Sequence, residues 1–244
     1  MKAAPEAQRR LLDLQGIDTA LAQLAHRRKS LPELAEIDAV AREISALEDE
    51  RVRAQVVVDD LDRDISRLEK DIEQVRLRKD KDQKRLDGGG SLREMEGLQH
   101  ELTSLNRRQS ELEDAELELM EQKETAEAKL AEVQGRISAA VTRRSEAERK
   151  RDEAYDEITK EQEFKTAARV PLSADLPADL VTLYDKIRTE SGLGAALFRA
   201  GRCGGCRIEL YGADLNRVKT APADEVVRCE ECRRIMVRTS ESGL

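Results

Sequence analysis

The chain has 244 residues, 39 % of them Asp, Glu, Lys or Arg, and only 2 % aromatic, with no Trp. All five aromatics lie at Tyr155 or beyond, so the first 154 residues lack the large rings that dominate a globular core, which argues against a globular enzyme. Of the net charge of -8, residues 1–170 carry -8, residues 171–192 carry -2 and residues 193–244 carry +2, so non-specific nucleic-acid binding is unexpected of the long acidic segment.

The N-terminus runs straight into charged periodic sequence without an apolar leader core, and no apolar run approaches 18 residues. The expectation is a cytoplasmic protein with no membrane contact. Leu14, Ile17, Leu21, Leu24 and Leu31 mark a first helix, and Ser30-Leu31-Pro32 predicts a break at 30–32, because Pro is tolerated in a first turn but not inside a helix.

From Ile37 to Leu86, steps of three and four give a heptad seam in which twelve of fifteen positions are apolar, the exceptions being Arg51, Lys79 and Asp82. A helix of that length spans roughly 75 Å at 1.5 Å per residue. A second seam runs from Leu98 to Ile158, with Gln109, Glu116, Lys123, Arg144 and Arg151 as its polar exceptions and a Leu row that gives way to Ala. Between them, Asp87-Gly88-Gly89-Gly90-Ser91 predicts a turn at 87–91, with Ser91 and Glu94 as a capping box. A turn centred near Gly90 brings Leu47 opposite Val133, Ala54 opposite Ala126, Leu61 opposite Leu119 and Ile44 opposite Ile137, so an antiparallel intramolecular hairpin is predicted. The N-terminal helix is expected to lie along the Ala-rich part of the second arm, near Ala140 to Ile158.

The long pattern ends near Val170-Pro171, and the prolines at 171 and 177 read as a linker or helix stop. Leu180, Leu183, Tyr184 and Ile187 lie on one face of a short helix that Ser191-Gly192 closes. The predicted organisation is a coiled-coil hairpin over 1–170, a linker and short helix over 171–192, and a small domain over 193–244.

That small domain carries Cys203-Gly204-Gly205-Cys206 and, after 22 residues, Cys229-Glu230-Glu231-Cys232. Each CxxC can converge two thiolates on one ion, and two such knuckles make a tetrahedral four-sulfur site suited to Zn²⁺. Iron is the competing metal. A redox pair would need a thioredoxin-like context, and disulfides an oxidising compartment. Four sulfurs leave no open position, so the one zinc ion is expected to be structural. Arg207 to Leu210 and Arg234 to Arg238 alternate like short strands beside the knuckles. The fold class is therefore mainly α, a long antiparallel hairpin followed by a small β zinc ribbon.

Two basic clusters are candidate contact sites. In the ribbon they are Arg202, Arg207, Lys219, Arg228, Arg233, Arg234 and Arg238, with Phe198 and Tyr211 placed to stack on bases, the alternative being that Phe198 fills the ribbon's core. At the hairpin tip, Lys81, Lys84, Arg85 and Arg93 belong to a stretch, 76–93, of net charge +4. His26 and His100 read as solvated side chains. No nucleophile–base constellation is present, so no enzyme activity and no small-molecule substrate are expected.

The order of parts resembles the bacterial C4-type zinc ribbon family with an N-terminal coiled-coil hairpin, whose relatives include a flagellar-biogenesis protein and a chlamydial hairpin protein. Arg93-Glu94-Met95-Glu96-Gly97-Leu98-Gln99-His100-Glu101 is similar to the family's stretch after the turn, and Cys229-Glu230-Glu231-Cys232-Arg233-Arg234-Ile235-Met236 to its ending. Cys203, Cys206, Cys229 and Cys232 match its zinc ligands. Met95 stands where the family has Tyr, and Arg233 where it has Gly, a departure expected to strain the second knuckle. The resemblance implies a zinc-binding adaptor or chaperone for a protein partner, family members being associated with an alternative sigma factor, secretion components or messenger RNA. The alternative is an RNA- or DNA-binding regulator that uses the basic ribbon.

Overall fold

The computed structural model describes residues 1–243. Its helices are α1 (Pro5–Lys29), α2 (Pro32–Asp87), α3 (Leu92–Ala174), α4 (Ala178–Ser191) and α5 (Gly212–Thr220). The strands are β1 (Ala195–Arg199), β2 (Arg202–Cys203), β3 (Val227–Arg228) and β4 (Ile235–Val237). The chain forms two compact units, one made of residues 35–148 and the other of residues 1–34 with everything from Arg149 onward.

In the unit of residues 35–148, α2 and α3 pack antiparallel. Every predicted seam residue of α2 is buried or half-buried, and along this part of α3 only Arg144 among the seam residues is exposed. Val40, Leu47 and Ala140 share a buried cluster with Ile44 and Ile137 against it, and Val133 is buried as well, which agrees with the predicted register. Charged side chains bridge the two helices. Arg143 meets Glu43 at 2.7 Å, Arg136 meets Glu50 at 3.3 Å, Lys123 meets Asp62 at 2.5 Å and Arg78 meets Glu101 at 3.2 Å. Partner numbers rise on α2 as they fall on α3, the signature of the hairpin. At the turn Gly89 takes φ +78, and the predicted capping box forms: Glu94 accepts from the Ser91 N–H at 3.0 Å and its own N–H reaches Ser91 Oγ at 3.4 Å.

In the other unit, α1 ends where predicted, Ser30 Oγ donating to the His26 carbonyl at 3.0 Å, and α2 opens on Pro32. Helix α1 packs on α3 as expected, meeting it at Ile158, but its contact does not reach Ala140. Ala140 is taken up by α2, and α1 lies antiparallel to the last third of α3, with Leu24 and Leu31 packed on Ile158, Asp18 bonded to Arg169 and Arg10 to Asp175. Helix α3 also continues through Pro171 to Ala174.

The sheet order is β2-β1-β4-β3, with β1 and β4 parallel and the outer pairs antiparallel. Arg207 to Leu210 does not form the strand expected of it and, among the described residues, makes only the single bridge Glu209–Arg202. The strand there is β1, and the spacer between the knuckles contains α5. Both faces of the sheet are covered. Ala195, Ile235 and Val237 join Leu11, Leu14, Leu180 and Tyr184 in a core shared with α1 and α4. Phe198, Met236 and Val227 face the other way, onto Val218, Cys203 and Cys229. The alternation along β4 follows the two-residue period of a strand. The N-terminus is tied to the same unit: the Ala3 N–H donates to the Asp224 carbonyl and the Val226 N–H to the Met1 carbonyl.

A buried polar network joins the helices to the first strand. Asp18 receives Tyr184 OH at 2.8 Å and Arg169 Nε at 2.8 Å, while Gln15 Oε1 accepts the Gly194 N–H at 2.7 Å. Gly194 has no alternative here, because a Cβ would sit 2.5 Å from the Tyr184 ring.

Candidate metal centre

The four cysteine sulfurs all lie within 4.8 Å of one another. Cys203 Sγ and Cys232 Sγ are 3.8 Å apart, and Cys206 Sγ and Cys229 Sγ are 3.9 Å apart. Zn–S bonds of about 2.3 Å directed to the corners of a tetrahedron put sulfurs about 3.8 Å apart, so these separations are those of a zinc site. They are far beyond the ~2.05 Å of a disulfide, and all four cysteines are free. The arrangement is a single closed C4 zinc site, with Cys203 and Cys229 buried and Cys206 and Cys232 half-buried.

The two knuckles are built alike. The Arg207 N–H donates to the Cys203 carbonyl at 2.7 Å, and the Arg233 N–H to the Cys229 carbonyl at 2.9 Å. Arg207 has φ +63 and Arg233 φ +61, both left-handed, a region that costs an L-residue about 1–2 kcal/mol. Gly204 is required within the first knuckle, since a Cβ there would lie 2.6 Å from the Leu197 carbonyl oxygen. Burial pushes the Cys203 thiol up and the Cys229 thiol to about 12, against backbone N–H groups of Gly205, Cys206, Glu231 and Cys232 that favour the thiolates. For Cys232 burial is outweighed by the Arg234 N–H and the neighbouring thiols, and its value falls. Four thiolates this close repel one another, and a divalent cation is what lets them coexist.

The candidate contact residues divide into two groups. Phe198 is fully buried in the ribbon core, so the expectation that it stacks on a base is corrected; the strand places it on the inner face of the sheet. Arg238 likewise faces inward: it donates to the carbonyls of Val218, Ala221, Pro222 and Glu225, closing the end of α5. Arg234 donates to the Ser191 carbonyl at 2.9 Å. Arg202 pairs with Glu209, Arg233 and Arg217 with Glu230, and Arg228 bonds the Arg233 carbonyl. Among the described residues that leaves Arg207 and Lys219 exposed without a carboxylate partner, alongside the exposed Tyr211 ring. At the tip, Lys84 pairs with Asp80 and Arg85 with Asp82, while Lys81 and Arg93 are exposed. The tip is thus less cationic than the count over 76–93 suggests, because α3 supplies Glu94, Glu96 and Glu101 beside it.

An antiparallel helical hairpin followed by a closed four-thiolate ribbon defines the class of protein. Residues 14–192 match the CT398-like coiled coil hairpin domain and residues 202–236 the C4-type zinc ribbon domain, and the chain belongs to that hairpin family. It is 38 % identical over 239 residues to the uncharacterized protein Rv2229c of Mycobacterium tuberculosis, covering 98 % of each chain. A solved structure from Mycobacterium smegmatis is similar at a TM-score of 0.88 and 35 % identity, over 98 % of this chain and 100 % of that one. CT398 of Chlamydia trachomatis shares the fold at a TM-score of 0.69 and 20 % identity, over 96 % and 98 % of the two chains.

Proposed function

We propose that this chain is a non-enzymatic zinc-binding adaptor that holds a protein partner on the flanks of its helical hairpin. The observation that carries this reading is the set of large apolar side chains outside the seam. Val52, Val56, Val57, Leu117 and Met120 are each about half exposed or more, on helices otherwise dense in charge. Such side chains are unneeded for pairing α2 with α3, and clustered exposed apolar surface is a mark of interaction sites. The zinc centre supports a structural role, four sulfurs filling the tetrahedron of the ion. Zinc thiolates suit a reducing compartment, consistent with a cytoplasmic home, and among the described residues no helix is long and apolar enough to cross a membrane.

A second reading, an RNA- or DNA-binding regulator, draws support from Arg207, Lys219 and Tyr211, exposed in the ribbon. Its support is thinner, because three neighbouring arginines already face glutamates. Affinity capture with the zinc-loaded full chain, with and without nuclease, separates the two. The adaptor reading expects a protein partner retained after nuclease and at 200 mM salt. A partner lost to nuclease, with binding that falls steeply between low and physiological salt, would favour the regulator.

A further inference from the structure

We infer that one flank of the hairpin is a docking groove for a basic amphipathic helix of a partner protein, an assignment that rests on the adaptor reading above. A cleft of about 460 Å³ opens between α2 and α3 beside Ile65, Leu117 and Met120. Leu117 is 59 % exposed and Met120 51 %, so the cleft presents apolar surface rather than a filled seam. Its rim is acidic, formed by Glu69 on α2 and by Glu121, Glu124 and Glu127 on α3. Among the described residues Glu69, Glu121 and Glu124 make no ion pair, and Lys123, the one cation of the rim, is held between Asp62 at 2.5 Å and Glu127 at 3.6 Å. The sequence concentrates the same sign here: residues 110–127 carry eight carboxylates against Lys123 alone.

Charge and shape together select the occupant. A second copy of this chain would bring carboxylate against carboxylate, and a nucleic acid or an anionic lipid surface would be repelled in the same way. A free cation would make no use of Ile65, Leu117 and Met120. A third helix laid along the cleft, with apolar residues at helical spacing toward those three side chains and Lys or Arg toward the rim, satisfies both.

The probe is an 18-residue Leu/Lys peptide with its leucines at helical spacing, set against a shuffled peptide of the same composition. Fluorescence anisotropy on the zinc-loaded full chain is expected to show the amphipathic peptide binding at least tenfold tighter than the shuffled one. Leu117→Gln with Met120→Gln should abolish that preference with the charge unchanged. Leu77→Gln with Val141→Gln, comparably exposed but outside the cleft, should keep it, and circular dichroism confirms that both variants remain helical. Equal binding of the two peptides, no binding of either, or a preference that survives the Leu117/Met120 change would each overturn the assignment. A protein partner still captured after nuclease would then leave the adaptor reading standing on another surface, whereas loss of that capture would remove both.

Discussion

At the scale of single residues, the left-handed arginines are the clearest points of strain. Arg207 and Arg233 each follow the second cysteine of a knuckle, where a glycine would sit without penalty. Arg233→Gly is expected to stabilise the ribbon by about 1 kcal/mol, read as a higher chelator concentration needed to remove zinc; an unchanged or lower value would show that the Glu230 contact outweighs the backbone cost. Arg238 does the opposite work. Its guanidinium serves four carbonyls, so Arg238→Ala should cost about 1–3 kcal/mol and raise amide exchange over 218–225. Tyr184 sets an alkaline limit. Burial and then Asp18 hold its phenol well above its ordinary 10.0, so the folded state gains nothing from ionisation. Its contribution is intact below about pH 10 and is lost as the pH rises past that value, because only the unfolded chain ionises there. Melting temperatures between pH 8 and 11 should fall on the alkaline side, and Tyr184→Phe should start lower and fall less.

Among the elements, the hairpin was legible because its period repeats over many turns and no short-range alternative competes with it. The glycine turn and the Ser91–Glu94 box could be placed for the same reason, from side-chain chemistry close in sequence. Strand β1 was not legible. Its Ala-Ala-Leu-Phe-Arg core is short, and what makes it a strand is pairing with β4, some forty residues later. The burial of Phe198 follows from that pairing and was hidden with it. Helix α5 is similarly hidden, lying inside the 22-residue spacer between the two knuckles. The lodging of α1 on α3 is legible at Ile158 but not in its extent, because small Ala residues such as Ala140 invite any helix, and the structure gives that place to α2. The zinc ligands, by contrast, could be named outright, since CxxC spacing is a local property of the chain. The seam itself can be tested by Leu47→Ala, which should cost about 2–5 kcal/mol in hairpin stability because Leu47 is 3 % exposed. The exposed Val52→Ala should change it little, by chemical denaturation of the same protein.

At the scale of the whole molecule, the two compact units depend on different forces. Residues 35–148 hold together by a long apolar seam with charged bridges across it, whereas the ribbon core around Phe198 and Met236 is closed on the cysteines. Chelation should therefore abolish amide protection around β1 to β4 while leaving α2 and α3 protected over 35–148, as hydrogen exchange would show. Uniform loss of protection would mean that the hairpin needs the metal too. The uneven charge of the chain acquires a location in the same way: the acidic excess gathers beside Ile65, Leu117 and Met120, where it frames an apolar cleft. The most direct measurement of the account, with a partner helix docked in this cleft at its centre, is a photo-crosslinking side chain at position 120 of the zinc-loaded protein in its native cell, with the captured segment sequenced. The account predicts a partner segment of helical periodicity and net positive charge. Crosslinks to nucleic acid, to a second copy of this chain or to an acidic segment would contradict it.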